Sequence, residues 1–165
     1  MGSPQTYQQK SFVFFCCKPV NFYRAYKTGF TAGFSNFSPH SVHIKDFGIF
    51  PTSEAALQAY KDPDNKDYVH KLENSISPVI AKTLGKKCKI RDDWDDISFY
   101  IMYEILKLKF KQHSYLKDIL LSTRLCPIIQ QTRGDEYWGI GEGDGKNLLG
   151  KALTKLRNSY YKELI

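Results

Sequence analysis

The chain has 165 residues, 42% of them apolar and 15% aromatic, and its 24 Lys and Arg against 17 Asp and Glu give a net charge of +7. That length supports one domain with a proper hydrophobic core, and the aromatic content excludes a disordered chain. No apolar run approaches the roughly 20 residues that cross a bilayer, and no secretory leader is visible, so a cytoplasmic protein (nuclear in a eukaryote), not secreted, is expected.

The four cysteines, Cys16, Cys17, Cys88 and Cys126, show no C-x-x-C or Cys/His spacing, so no metal site is expected and the thiols read as reduced. The basic surplus would draw in a phosphorylated ligand or nucleic acid, although lysines spread along a chain also make an ordinary solvated face.

In chain order, residues 1–10 read as a flexible polar segment and 11–165 as a single domain. Phe12 to Cys16 reads as a buried strand and Asn21 to Tyr26 as a second extended piece. Lys27 to Pro39 is a loop rich in aromatics, with burial the expected fate for most of Phe30, Phe34 and Phe37. Val42 to Lys45 and Ile49-Phe50 form a hairpin around the Asp46-Phe47-Gly48 turn. Pro51 and Thr52 open a helix through about Lys61, with Thr52 or Ser53 as its cap. Glu54, Gln58 and Lys61 share one face of it, while Leu57 and Tyr60 point towards a core. An acid in a first helical turn also complements the macrodipole, so Glu54 alone has a purely structural explanation.

Further helices are expected over Lys66 to Glu73 and from Ser77-Pro78 to Leu84, stopping at Gly85. Lys86 to Arg91 is a basic strip, either a phosphate contact or a solvated connection. Asp92 or Asp93 should cap the longest helix, Trp94 to Gln112. Its stripe of Trp94, Ile97, Ile101, Ile105 and Leu108, widened by Met102, Leu106 and Phe110, marks a central core helix. Ser114 to Ser122 is amphipathic, Ile128-Ile129 is a brief apolar stretch, and Leu148 to Leu164 places Leu149, Leu153, Leu156 and Tyr160 inward. The expected fold is a mostly helical α+β domain with a few short strands.

Gln130 to Lys151 carries Asp135, Trp138, five glycines between Gly139 and Gly150, and Asn147 where a helical pattern begins. Such glycines let a backbone approach a ligand closely, and a helix start behind them would aim amides and a positive dipole end at it. That suits a ligand with phosphates and a flat base. From this stretch alone, an ordinary glycine-rich turn with Trp138 in the core reads equally well.

Taken together the segments resemble the NADAR family, named for NAD and ADP-ribose and also called YbiA-like. The matching pieces are Asn21-Phe22-Tyr23, GFSNF at 33–37, PTSE at 51–54 with Gln58 and Lys61, and Arg91 with Asp93-Trp94. Lys109-Phe110, Leu120-Leu121 with Thr123, Asp135 with Tyr137-Trp138-Gly139, Gly141, and GKNLLG at 145–150 follow in the same order, covering roughly residues 20 to 160. The resemblance implies a YbiA-like fold and an N-glycosidase with no cofactor and no metal, which breaks a base–ribose bond. Substrates linked to the family are ADP-ribose on guanine in nucleic acid and ribosylated intermediates of riboflavin synthesis. Glu54, Trp94, Asp135, Trp138 and Asn147 match its important positions, with Asn36, Gln58 and Lys61 in support and Phe37, Gly139, Gly141 and Lys146 inside the matching motifs.

The chemistry agrees with these residue types. Cleaving a C1′–N bond builds an oxocarbenium-like transition state that a carboxylate stabilises, while a carboxyl of suitable pKa protonates the base or activates water. Glu54 and Asp135 are the candidates, with acid and base unassigned between them. Lys61 could contact ribose or phosphate, or form a Schiff base with an opened sugar. Trp94 and Trp138 would stack on a base, an interaction worth about 1–3 kcal/mol. Asn147 and the loop amides would hold phosphate or ribose hydroxyls.

Two positions depart from the family. Ala55 stands where it commonly has His, and Gln130 where it usually has Glu. Gln cannot take a charge or a proton at neutral pH. If position 130 does acid–base work, the chain is slow, altered in substrate or only a binder; if it hydrogen-bonds a ribose hydroxyl, Gln130 serves.

Overall fold

A computed structural model of the protein describes residues 18–23 and 29–163. The strand expected at Phe12 to Cys16, the segment 1–10 and the residues after Glu163 lie outside the described residues, as do Cys16 and Cys17.

Among the described residues the order is β1 (Val20–Phe22), a 3₁₀ turn (Ala32–Phe34), β2 (Val42–Ile44), β3 (Gly48–Phe50), α1 (Ser53–Ala59), α2 (Lys66–Glu73), α3 (Pro78–Gly85), α4 (Trp94–Gln112), α5 (Ser114–Ser122), β4 (Ile128–Gln130) and α6 (Leu148–Lys162). This is the mixed α+β architecture expected. The β2–β3 hairpin turns at Asp46 with φ +58°, pairing Val42 with Phe50. β1 instead pairs parallel with β4, Val20 opposite Ile128 and Phe22 opposite Gln130.

Side-chain caps start three of the helices. Thr52, Asn65 and Ser77 each accept the backbone N–H three residues on, which uses one of the amides a helix start leaves unpaired. Asp93 precedes α4 but makes no such bond; its carboxylate takes the Arg91 guanidinium instead.

The core gathers Phe22, Phe34, Phe110, Leu116 and Leu149, with the Phe34 ring 5.9 Å from Phe22, edge-on, and 6.0 Å from Phe110. Phe34 is fully buried and Phe37 half-buried, while Phe30, at 61% exposed, is the ring of the three that stays outside. The buried face of α4 is also rotated from the stripe expected. Ser98, Met102, Ile105, Leu106, Lys109 and Phe110 point inward, while Trp94, Ile97, Ile101 and Leu108 lie at its margin. Two polar residues fit that inner face because each finds a partner. Ser98 Oγ lies 2.8 Å from the Tyr137 hydroxyl, and Lys109 Nζ donates to the Ser35 carbonyl at 3.0 Å and to Ser38 Oγ at 2.7 Å.

Candidate active site

Every residue of α1 is buried, polar ones included. The helix enters beneath the loop that carries Asn36, whose carbonyl accepts the Glu54 N–H at 3.0 Å. Glu54 is 5% exposed, and its Oε1 accepts a hydrogen bond from Gln58 Nε2, one turn on, at 2.8 Å. Burial pushes the Glu54 carboxyl above the usual carboxylate range. The Gln58 bond and the charge of Lys82 oppose this, and Asp135 reinforces it.

α3 packs on the same face. A β-carbon at Gly85 would land on the Gln58 amide, so the close approach of the two helices requires glycine there. The Gly85 carbonyl accepts from Lys61 Nζ at 3.2 Å, and that ammonium lies 5.5 Å from the centre of the Trp94 ring. Desolvation lowers the Lys61 pKa, against the raising influence of Cys88 and Glu54. Glu54, Gln58 and Lys61 thus share a face as their spacing predicts, and Asn36 and Trp94 join them.

The second carboxylate stands on the loop between β4 and α6. Asp135 Oδ1 accepts the Trp138 N–H at 2.9 Å, and Oδ2 lies 3.2 Å from Lys82 Nζ on α3. Lys82 is the site residue that the sequence reading missed. It acts on Glu54 while pairing with Asp135, so one cation serves both acids. The signal available was its place on a helix that ends in the Gly85 touching Gln58, which no local motif marks.

Thr132 Oγ1 braces the loop, donating to the Asp135 carbonyl at 2.7 Å and accepting the Gly141 N–H at 3.0 Å. Gly141 has φ +55°, and a β-carbon at Gly139 would strike Thr132. Trp138 is half-buried against the core with its ring edge-on to Tyr137, the blander of its two expected fates. Lys146 Nζ lies 5.1 Å from the Tyr137 ring.

One expectation is overturned. The start of α6 does not offer its amides to a ligand, because the loop folds back on its own helix. The N–H groups of Lys146, Asn147, Leu148 and Leu149 donate to the carbonyls of Glu136, Gly139, Tyr137 and Trp138 at 2.6–3.2 Å. Asn147, at φ +51°, turns its side chain to β4: Oδ1 accepts the Gln130 N–H at 3.0 Å and Nδ2 donates to the Ile128 carbonyl at 2.9 Å. It thereby holds Gln130, 8% exposed, in place.

Buried polar atoms concentrate here without partners. Among the described residues, Asn36 Oδ1, Ser53 Oγ, Gln58 Oε1 and Gln130 Oε1 have no hydrogen bond. Such atoms cost about 1–3 kcal/mol each when left unmet, so a ligand that supplies the missing bonds gains them. A cavity of about 560 Å³ opens beside Asp135, walled by Lys82 and Thr83 on α3, by Lys86 at its C-cap and by Arg133, Glu136 and Tyr137 on the loop, with Phe37 contributing. A larger hollow of about 880 Å³ along α6 holds Asn147 but no acid.

The NADAR domain model matches residues 21–160. The chain belongs to the NADAR family. A solved NMR structure of Escherichia coli YbiA superposes with a TM-score of 0.79 at 32% identity, covering 89% of this chain and 87% of that one. The N-glycosidase YbiA of Shigella flexneri is 36% identical over 127 residues, 75% of this chain and 78% of its own. An N-glycosidase of Nostoc punctiforme is 35% identical, with 75% and 82% covered. Relatives of matching length carry that activity in their names, and this NADAR chain is a hydrolase of the N-glycosidase class. The chloroplastic riboflavin biosynthesis protein PYRR of Zea mays is 34% identical over 156 residues; the match takes in 84% of this chain but spans only 25% of that protein. No helix among the described residues is long and apolar enough to cross a membrane, and no group of three or more His, Cys, Asp or Glu among them could hold a metal. Of the two departures from the family, Ala55 is fully buried in α1 and Gln130 sits with Oε1 unpartnered.

Proposed function

We propose that the bond this N-glycosidase cleaves joins ADP-ribose to guanine in nucleic acid, with Glu54 as the general acid and Asp135 as the partner of the developing cation. The observation that carries the role assignment is the contrast in surroundings. Glu54 is buried with its pKa raised, so it keeps a proton to give, whereas Asp135 is held in an ion pair with Lys82. As the C1′–N bond breaks, its electron pair leaves with the base, which takes the Glu54 proton. Asp135 faces the oxocarbenium-like sugar and accepts a proton from the water that adds to C1′, and both acids then re-equilibrate with solvent. Asn36, Ser53 and Gln130 supply the unpartnered polar atoms suited to ribose hydroxyls. In this reading Gln130 is a binding group, which needs no charge.

The test is incubation of the protein, and of Gln130→Glu, with guanine-ADP-ribosylated DNA and RNA, following released ADP-ribose by mass spectrometry. Release by the unaltered chain supports the assignment. Release only by Gln130→Glu makes position 130 an acid–base site and this chain a binder. Silence from both removes the polynucleotide substrate and favours a free ribosylamino-pyrimidine phosphate, the reading that the similarity to the maize riboflavin protein supports.

A further inference from the structure

With the amides of α6 consumed, the phosphates of a substrate need another home. We propose that the cleft beside Asp135 carries a phosphate subsite formed by Lys86, the C-cap residue of α3, and Arg133 of the β4–α6 loop, which line the same cavity.

Lys82 near the end of α3 and Lys86 at its C-cap are four residues apart and line the same cavity as Arg133, which comes from the loop between β4 and α6. Lys82 is committed to Asp135. Lys86 and Arg133 are exposed, and neither has a carboxylate within ion-pair distance among the described residues. Of the acids in the lining, Asp135 is paired with Lys82, whereas Glu136, its stem packed against Gly141, is exposed and makes no ion pair among the described residues. Lys86 and Arg133 therefore remain as two cations in no ion pair against one such acid, and the lining keeps a net positive charge. A guanidinium offers a planar fork to phosphate oxygens and an ammonium a mobile point charge, so the pair suits an anion bridging the gap. Tyr137, its hydroxyl 2.8 Å from Ser98 Oγ, adds a fixed ring to the same lining. A phosphate held there would lie in the cavity that Asp135 lines.

The subsite rests on the proposed function only in taking a phosphorylated ribosyl group as the substrate, a feature common to both substrate readings. Calorimetric titration with ADP-ribose, ribose 5-phosphate and adenosine separates the two. Lys86→Ala and Arg133→Ala are each expected to weaken ADP-ribose about tenfold and the double variant more, with adenosine unchanged and the salt dependence of binding reduced. In turnover the loss should fall on KM with kcat little altered. Lys89→Ala, an exposed lysine of the neighbouring strip, is the control and should change nothing. Unaltered affinity in the double variant overturns the subsite, even where guanine-linked ADP-ribose is still released. Tighter wild-type binding of ribose 5-phosphate than of ADP-ribose, lost in the variants, keeps the subsite and removes ADP-ribose as substrate. A wild-type chain that binds neither phosphate compound overturns it as well.

Discussion

Glu54 sits in a buried helical turn beneath the Asn36 loop, with a side-chain amide as its partner, whereas Asp135 sits on a braced glycine-rich loop, gripped by an ammonium and a backbone N–H. The two groups are chemically alike, so their difference is supplied by their surroundings. A helix hides its acid from water and raises its pKa; a loop paired with α3 gives its acid a cation. In the proposed mechanism this difference is what suits the two carboxylates to opposite tasks, with Lys82 acting on both.

The largest effect should come from Glu54→Gln, which removes the proton donor while keeping its shape. Turnover should fall by about 10²–10⁴-fold in single-turnover assays. Calorimetry should show a higher melting temperature at neutral pH, because a raised pKa means the folded state resists the ionisation that the unfolded chain accepts. That penalty grows as pH rises from the ordinary carboxylate value through the raised one, and the variant lacks it. A lower melting temperature would mean that Glu54 is chiefly a structural group.

Next in size is the coupling between the acids. Activity that needs protonated Glu54 declines as pH rises through its pKa. Asp135→Asn should cut kcat and move this alkaline limb to lower pH, since the Asp135 charge helps hold the proton; Lys82→Met should move it to higher pH. A limb that stays put in both variants would break the comparison.

Gly85→Ala probes the packing that shapes the Glu54 side. The new methyl meets Gln58, and overpacking of this kind costs about 1–3 kcal/mol, to be read from denaturant unfolding, together with a fall in kcat as the Gln58–Glu54 bond is displaced.

The effect furthest from the two carboxylates concerns Lys109, whose burial lowers its pKa to about 7. The folded chain sheds this proton before the unfolded chain does, so stability should rise with pH from about 7 towards the ordinary lysine value of 10.5. Lys109→Met should lack that rise in unfolding curves taken at several pH values.

Much of this was legible because it is local. The bounds of α2, α4 and α5, the Thr52 cap, the hairpin and the shared face of Glu54, Gln58 and Lys61 all follow from spacing within a dozen residues. What escaped depends on partners far along the chain. Lys82 becomes a site residue only when α3 meets the 133–137 loop. Ser98 and Lys109 turn inward only because Tyr137, Ser35 and Ser38 wait there, and that rotates α4 away from its most apolar stripe. Asn147 looked like a ligand contact because a helix start after glycines has free amides in isolation; here the loop's own carbonyls reach them first.

The parallel pairing of β1 with β4 joins the first strand of the described chain to the last, with Gln131 further tied to Asn21 and Phe22. Closing so long a loop is entropically uphill until its contacts form, so this join belongs late in folding. Gln130 lies in that strand. During synthesis β1 emerges early and waits for β4, so the hairpin and most helices can settle while the chain still has no complete site. Catalytic competence then appears in a single late step rather than growing with chain length.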